Sequence, residues 1–239
     1  IESVELAENG TVRARLMVRG KVLNFQTTQE IILYNTLKRI DIINTVDWEG
    51  EKPIRIQQLF PLKVEKPEVN FGIPYGVNSL ENIQPGSGPR FGDELPRETW
   101  LKLREVQRWI DVSNKEFGVT IACDHRLVEV DGSVIRANMV RGTHTAFTVF
   151  IKDGKREFGW HSAPGRYTFK YSIRSHGGDW KSAKAYMDGW FLTNPLIPVS
   201  VNDQETSKLL PAEKSFCSVS SENVIVSVLK KAEDSDDVI

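Results

Sequence analysis

From its first residues the chain alternates. Ile1-Glu2-Ser3-Val4-Glu5-Leu6 and then Thr11-Val12-Arg13-Ala14-Arg15-Leu16-Met17-Val18 set apolar and polar side chains in turn. This is the period-two pattern that places every second residue on one face of a sheet. The Asn9-Gly10 dipeptide between the two runs is a strong hairpin signal, because a tight reversal needs residues that tolerate positive φ. Alternation returns at Gln29–Leu33 and Arg39–Val46, with Asn35-Thr36 as the turn, and at Ile54–Leu62. It returns again at Val119–Cys123, Val134–Val140, Thr145–Ile151, Arg166–Ile173 and Ser218–Leu229. Asp131-Gly132 and Asp153-Gly154 supply further turns. Helix is expected only over Pro96–Val106 and Lys181–Trp190, the second with Asp179 as its N-cap. The Gly- and Pro-rich stretch 67–96 reads as a long excursion over a sheet surface. Many strands, few short helices and one continuous pattern predict an all-β fold, a single large antiparallel β-sandwich spanning residues 1–239.

Composition narrows the partners. Lys and Arg number 31 against 32 Asp and Glu, so no net field draws the chain to nucleic acid or to an anionic membrane. A neutral or small polar ligand such as a sugar fits better. No apolar run reaches the ~20 residues that a membrane-spanning helix needs. Both ends read as interrupted strands, which makes the chain a fragment of a larger multidomain polypeptide. Cys123 and Cys217 stand apart without metal-ligand spacing, and are expected as two buried thiols. The residues do not fix a compartment; the bacterial cytoplasm is preferred.

Candidate chemistry is sparse. Gly86-Ser87-Gly88-Pro89-Arg90-Phe91-Gly92 has the wrong glycine spacing for a phosphate loop, and Pro89 removes an amide donor. Val46-Asp47-Trp48-Glu49 sets two carboxylates around a ring that could stack on sugar; the simpler arrangement has both acids solvated and Trp48 in the core. The densest polar cluster is Arg174-Ser175-His176-Gly177-Gly178-Asp179-Trp180. His176 and Asp179 there could bind substrate, hold metal or move a proton. The alternative has Asp179 capping the following helix and His176 bonded to backbone. His125, His144 and His161 are scattered, so no complete zinc site is expected in this chain.

The order of segments carries more than any one motif. Ile40-Asp41-Ile42 with Val46-Asp47-Trp48, then Gln58-Leu59-Phe60-Pro61-Leu62, resemble successive segments of glycoside hydrolase family 38 α-mannosidases. So do Gln107-Arg108-Trp109-Ile110-Asp111-Val112-Ser113, Phe117-Gly118-Val119-Thr120-Ile121 and Met139-Val140-Arg141-Gly142. The series continues through Tyr171 to Trp180, Phe191 to Leu196, and Leu229-Lys230-Lys231-Ala232-Glu233-Asp234. The sequence departs from the family pattern at Cys123–Val128 and at Ser175, which points to a divergent bacterial-type branch. The resemblance implies a galactose mutarotase-like supersandwich, the middle-to-C-terminal domain of a retaining, zinc-dependent α-mannosidase. It implies as partners an N-terminal α/β barrel and a helical bundle of the same polypeptide, and a mannose-containing glycan as substrate. Zinc and the catalytic carboxylates would belong to the barrel, leaving no catalytic residue and no metal ligand here. Arg141 would be the residue that reaches the substrate, with His176 and Asp179 as further candidates. A stand-alone carbohydrate-binding module using Trp48, Trp109 and Trp180 is the competing reading, and a mutarotase-like epimerase or a lyase a third.

Overall fold

The computed structural model describes residues 1–49, 54–82, 103–124, 127–142, 144–160, 164–200, 211, 213–221 and 224–239. They fall into two units, Ile1–Pro195 and Leu196–Ile239. In the first, the expected all-β antiparallel fold is what the structure holds. Fifteen strands are described: β1 (Ser3–Asn9), β2 (Arg13–Val22), β3 (Phe25–Tyr34), β4 (Ile40–Trp48), β5 (Ile54–Pro61), β6 (Glu68–Ile73), β7 (Gly76–Ser79), β8 (Leu103–Glu105), β9 (Trp109–Ser113), β10 (Phe117–Cys123), β11 (Leu127–Asp131), β12 (Val134–Gly142), β13 (His144–Lys152), β14 (Lys155–Trp160) and β15 (Gly165–Gly177). One helix, α1 (Ala185–Thr193), follows. Nine strands form one sheet in the order β1-β2-β3-β4-β15-β10-β9-β6-β7, four form a second in the order β5-β12-β11-β8, and β13-β14 is a separate hairpin.

The two larger sheets face each other across the core. Ile42, Phe71, Ile110, Ile121 and Tyr171 from the nine-stranded sheet meet Phe60, Val128, Ile135 and Ala137 from the four-stranded one in a single buried cluster. A second cluster joins Phe25, Val46 and Trp48 to Ile56 and Val140. The alternation explains the division. In β4, residues 42, 44, 46 and 48 are buried on the inner face, while Ile43, Thr45 and Asp47 are only half-buried on the other. Trp48 is thus in the core, its ring 4.8 Å from Phe25, and Asp47 lies outside, held by both Nε and Nη2 of Arg166.

The turns follow the dipeptides. Gly132 between β11 and β12, and Asp153 and Gly154 between β13 and β14, all adopt positive φ. Four expected elements differ from the structure. Residues 103–105 are a strand paired with β11 and not the end of a helix, because their neighbours in space supply a ladder that local propensity cannot foresee. The stretch from Glu68 to Ser79 is the β6–β7 hairpin. The second helix begins at Ala185, four residues later than expected, since Lys184 takes a left-handed conformation with φ 52°. In the second unit, the described residues of Ser218–Leu229 contain no strand. Among its described residues that unit has one isolated bridge, Lys231 with Val238. Cys123 is buried as expected, whereas Cys217, in the second unit, is exposed.

Candidate functional site

The outer face of the nine-stranded sheet carries a polar cluster beneath α1. Asp111 of β9, Thr120 and Gly118 of β10, and Arg174 and His176 of β15 are brought side by side by the ladders: Asp111 pairs with Thr120, Thr120 with Arg174, and Gly118 with His176. The intervening residues Ile110, Val112 and Ile121 point to the core, so the polar set must point away from it. Asp111 is fully buried. Its Oδ1 accepts from Ser113 Oγ at 2.5 Å, and its Oδ2 accepts from Thr120 Oγ1 at 2.8 Å and from His176 Nε2 at 2.7 Å. Both carboxyl oxygens are therefore satisfied, as a buried polar group requires. The imidazole fits only because position 118 has no side chain. A Cβ there would stand 2.3 Å from His176 Cε1 and 2.5 Å from Ser113 Cβ.

One turn further, Gly178 reverses the chain at φ 69°, and Asp179 Oδ1 accepts from both the backbone N–H and the hydroxyl of Ser182 at 2.7 Å. These bonds, the backbone one first, hold the Asp179 carboxyl below its ordinary range. Asp179 thus caps a turn ahead of the helix and not the helix itself. Because its folded value is lowered, whatever the turn gains from the charged form is present above the unfolded value and lost only as pH falls through the folded one. Carbon-detected NMR titration should accordingly give Asp179 a midpoint below the ordinary 3.8, with the Ser182 amide losing exchange protection at that same acidic midpoint. A midpoint at or above 3.8 would remove the cap.

Helix α1 is clamped by an ion pair and by aromatic contacts. Arg174 Nε donates to Asp188 at 2.7 and 2.9 Å, and its Nη2 donates to the carbonyl of Ala183. Burial pushes the Asp188 carboxyl up, against the opposing pull of Arg174. The Arg108 guanidinium lies 4.0 Å over the Trp190 ring, and Trp109 packs against Trp180 with ring centroids 5.5 Å apart and planes tilted by 30°.

Arg141 is elsewhere. It is the penultimate residue of β12, opposite Arg55 of β5. Since Val140 before it is in the core, Arg141 is on the outer face of the four-stranded sheet, where it is exposed. His176 and Arg141 therefore lie on opposite sides of the sandwich, with the core between them. His176 and Asp179 do come close in the chain, but the first turns to Asp111 and the second to Ser182. Sequence reasoning missed Asp111 as the hub of the cluster. The available signal was an acidic residue between Ile110 and Val112 in a strand buried on both faces. Among the described residues no three His, Cys, Asp or Glu side chains converge to hold a metal ion; Asp111 and His176 are completed by two hydroxyls. The described residues of this chain therefore do not fit a zinc site. His125, His161 and the 86–92 loop lie outside the described residues, and of His144 only the backbone is described. Of the three tryptophans considered as sugar platforms, Trp48 and Trp109 are buried and Trp180 is half-buried against Trp109.

The architecture so far defines a large antiparallel two-sheet domain whose polar cluster is closed to solvent. Residues 2–144 match the family described as the glycosyl hydrolases family 38 C-terminal domain, and the chain belongs to that family. It is 24% identical over 237 residues to alpha-mannosidase G of Dictyostelium discoideum, which covers 96% of this chain and 20% of that protein. An alpha-mannosidase from Enterococcus faecalis V583 shares the fold with a TM-score of 0.53 at 16% identity, covering 79% of this chain and 23% of that one. The chain thus spans about a fifth to a quarter of the length of the relatives it matches.

Proposed function

We propose that this chain is the β-sandwich domain of a retaining, zinc-dependent α-mannosidase, and that it supports and completes the active site of an N-terminal α/β barrel in the same polypeptide. The family membership carries the reading, and the small share of each relative that the chain spans supports a domain set within a longer enzyme. Zinc and the two carboxylates that a retaining hydrolase needs would be held outside this chain. What this chain would supply is a donor. Arg141, exposed at the end of a strand in a rigid sheet, presents a planar guanidinium suited to a carboxylate or to sugar hydroxyls. His176 and Asp179 serve instead to fix the turn and helix behind the sheet.

Arg136 of the same strand gives an internal control, because it is tied to Asp131 at the far hairpin. In the full-length enzyme, Arg141→Ala should lower kcat/KM for an α-mannoside at least about tenfold, corresponding to ~1.4 kcal/mol of transition-state stabilisation. Arg136→Ala should change it little, with both variants folded by circular dichroism. Equal activities would leave the domain a purely structural role.

A further inference from the structure

The inner face of the nine-stranded sheet runs beyond the sheet that covers it. Three rows of paired residues cross from core to rim. In one, fully buried Tyr171 is followed by Ile42 at 9% exposure, then by half-buried Ile31 and Leu16, and finally by Leu6 at 57%. In the next, Asn44 at 5% leads through Gln29 and Val18 to Val4 at 60%. The third passes from Ile121 at 1% through Ile173 and Ile40 to Leu33 at 46%. The edge of the cover is marked by three carboxamides: Gln58 of β5 accepts from Gln29 and from Asn44, at 3.0 and 2.9 Å. Past that line the inner face of β1–β3 continues with Val4, Leu6, Leu16, Val18, Ile31 and Leu33, and the ladder places no charged side chain on it.

The other face of the same strands is mostly charged around the buried Ile32, which is 5% exposed. Glu5 with Arg19, Glu8 with Arg13 and Arg15, and Glu30 with Arg15 form ion pairs there. A solvated two-sided wing would carry polar residues on both faces; one apolar face and one charged face is the pattern of a sheet covered on one side. We infer that the inner face of β1–β3 is a docking surface for another domain of the same polypeptide, one lying outside residues 1–239. The inference rests on the reading of the chain as a domain within a longer enzyme and names the surface that joins it to the rest. Two observations select this occupant. About four-fifths of alpha-mannosidase G lies outside the matched region, and a tethered domain meets the wing at an effective concentration that can reach millimolar. A second copy adding at the β1 edge is opposed by the register shift between Leu6 and Glu8, which interrupts the ladder where such pairing would run. The missing partner must itself be apolar and uncharged over the contact, since nothing on this face can answer a charge.

The test uses the full-length protein with a photo-crosslinking amino acid at Leu6, and the same group at Glu5 on the charged face as control. Light and heavy isotopically labelled protein is mixed, irradiated and digested, and the cross-linked peptides are identified by mass spectrometry. The expected product joins Leu6 to a peptide outside residues 1–239 within one isotopic form, at a yield at least tenfold that from Glu5. Mixed light–heavy products at Leu6 would assign the face to a second copy and overturn the inference. Products confined to residues 1–239, or equal yields at Leu6 and Glu5, would overturn it too. Assaying α-mannoside hydrolysis on the same preparation separates the two readings. An active enzyme without the cross-link refutes only the docking surface, and a cross-linked protein without activity refutes only the mannosidase reading.

Discussion

Replacing Asp111 by alanine is expected to destabilise the protein by about 3–5 kcal/mol, because it leaves three buried hydrogen-bonding groups unsatisfied at roughly 1–3 kcal/mol each. The carboxylate is fully buried and accepts from three side chains. Its loss leaves the Ser113 and Thr120 hydroxyls and the His176 ring nitrogen without that acceptor, in a place that water does not reach. With roughly 2–4 °C per kcal/mol for a domain of this size, the melting temperature should fall by about 10 °C. Thr120→Val removes only one donor and should cost about 1 kcal/mol. Asp111→Asn, which keeps the shape and one acceptor oxygen, should fall between the two. A melting curve for Asp111→Ala within a degree of the parent would show that the cluster is not what seats β15 against β9 and β10.

Trp109→Ala should cost a similar ~3–5 kcal/mol by a different route, as a cavity. The indole is 4% exposed. It fills the space over Gly72, where a Cβ would stand 2.7 Å from its Nε1, and it forms the platform for Trp180. Truncation therefore removes the contact on one side of the turn that leads into α1. Trp109→Phe keeps a ring in the space and should recover part of the loss. If urea unfolding of Trp109→Ala coincides with that of the parent, the ring is not buried, and a sugar-stacking role for it returns.

How far the sequence carried the fold depended on what decided each element. Where a strand was fixed by its own alternation beside a turn dipeptide, as at β1, β2 and β12, the pattern alone placed it. Where pairing was decided by a distant neighbour, it did not. β8 has three residues and is a strand because β11 lies beside it. β9 is buried on both faces, so alternation vanishes there and the acid at position 111 reads as an anomaly. The helix start shifted because Asp179 bonds to Ser182 and closes a separate turn first, a choice between two caps that spacing does not resolve. For the site, Arg141 came from its place between the apolar run Val134–Val140 and Gly142 together with the family resemblance. His176 was singled out by polar density, whereas its acceptor Asp111 lies 65 positions away in the chain. Such a pair becomes visible only when the register of three strands is known.

The place of β15 in the sheet order has a consequence for how the protein is made. It lies between β4 and β10, pairing Ile40 with Ile173 on one side and Cys123 with Tyr171 on the other. Synthesis therefore delivers the four N-terminal strands and the β10-β9-β6-β7 group long before the strand that joins them. Until Gly165–Gly177 has left the ribosome, the inner edges of both groups lack their partner, and the nine-stranded sheet cannot close. Pairings so distant in sequence make for slow assembly and a long exposure of open edges. A nascent chain halted before Gly165 should accordingly hold the nine-stranded sheet as two separate pieces, each at risk of joining the wrong neighbour, and the arrival of β15 is the event that commits the chain to its fold.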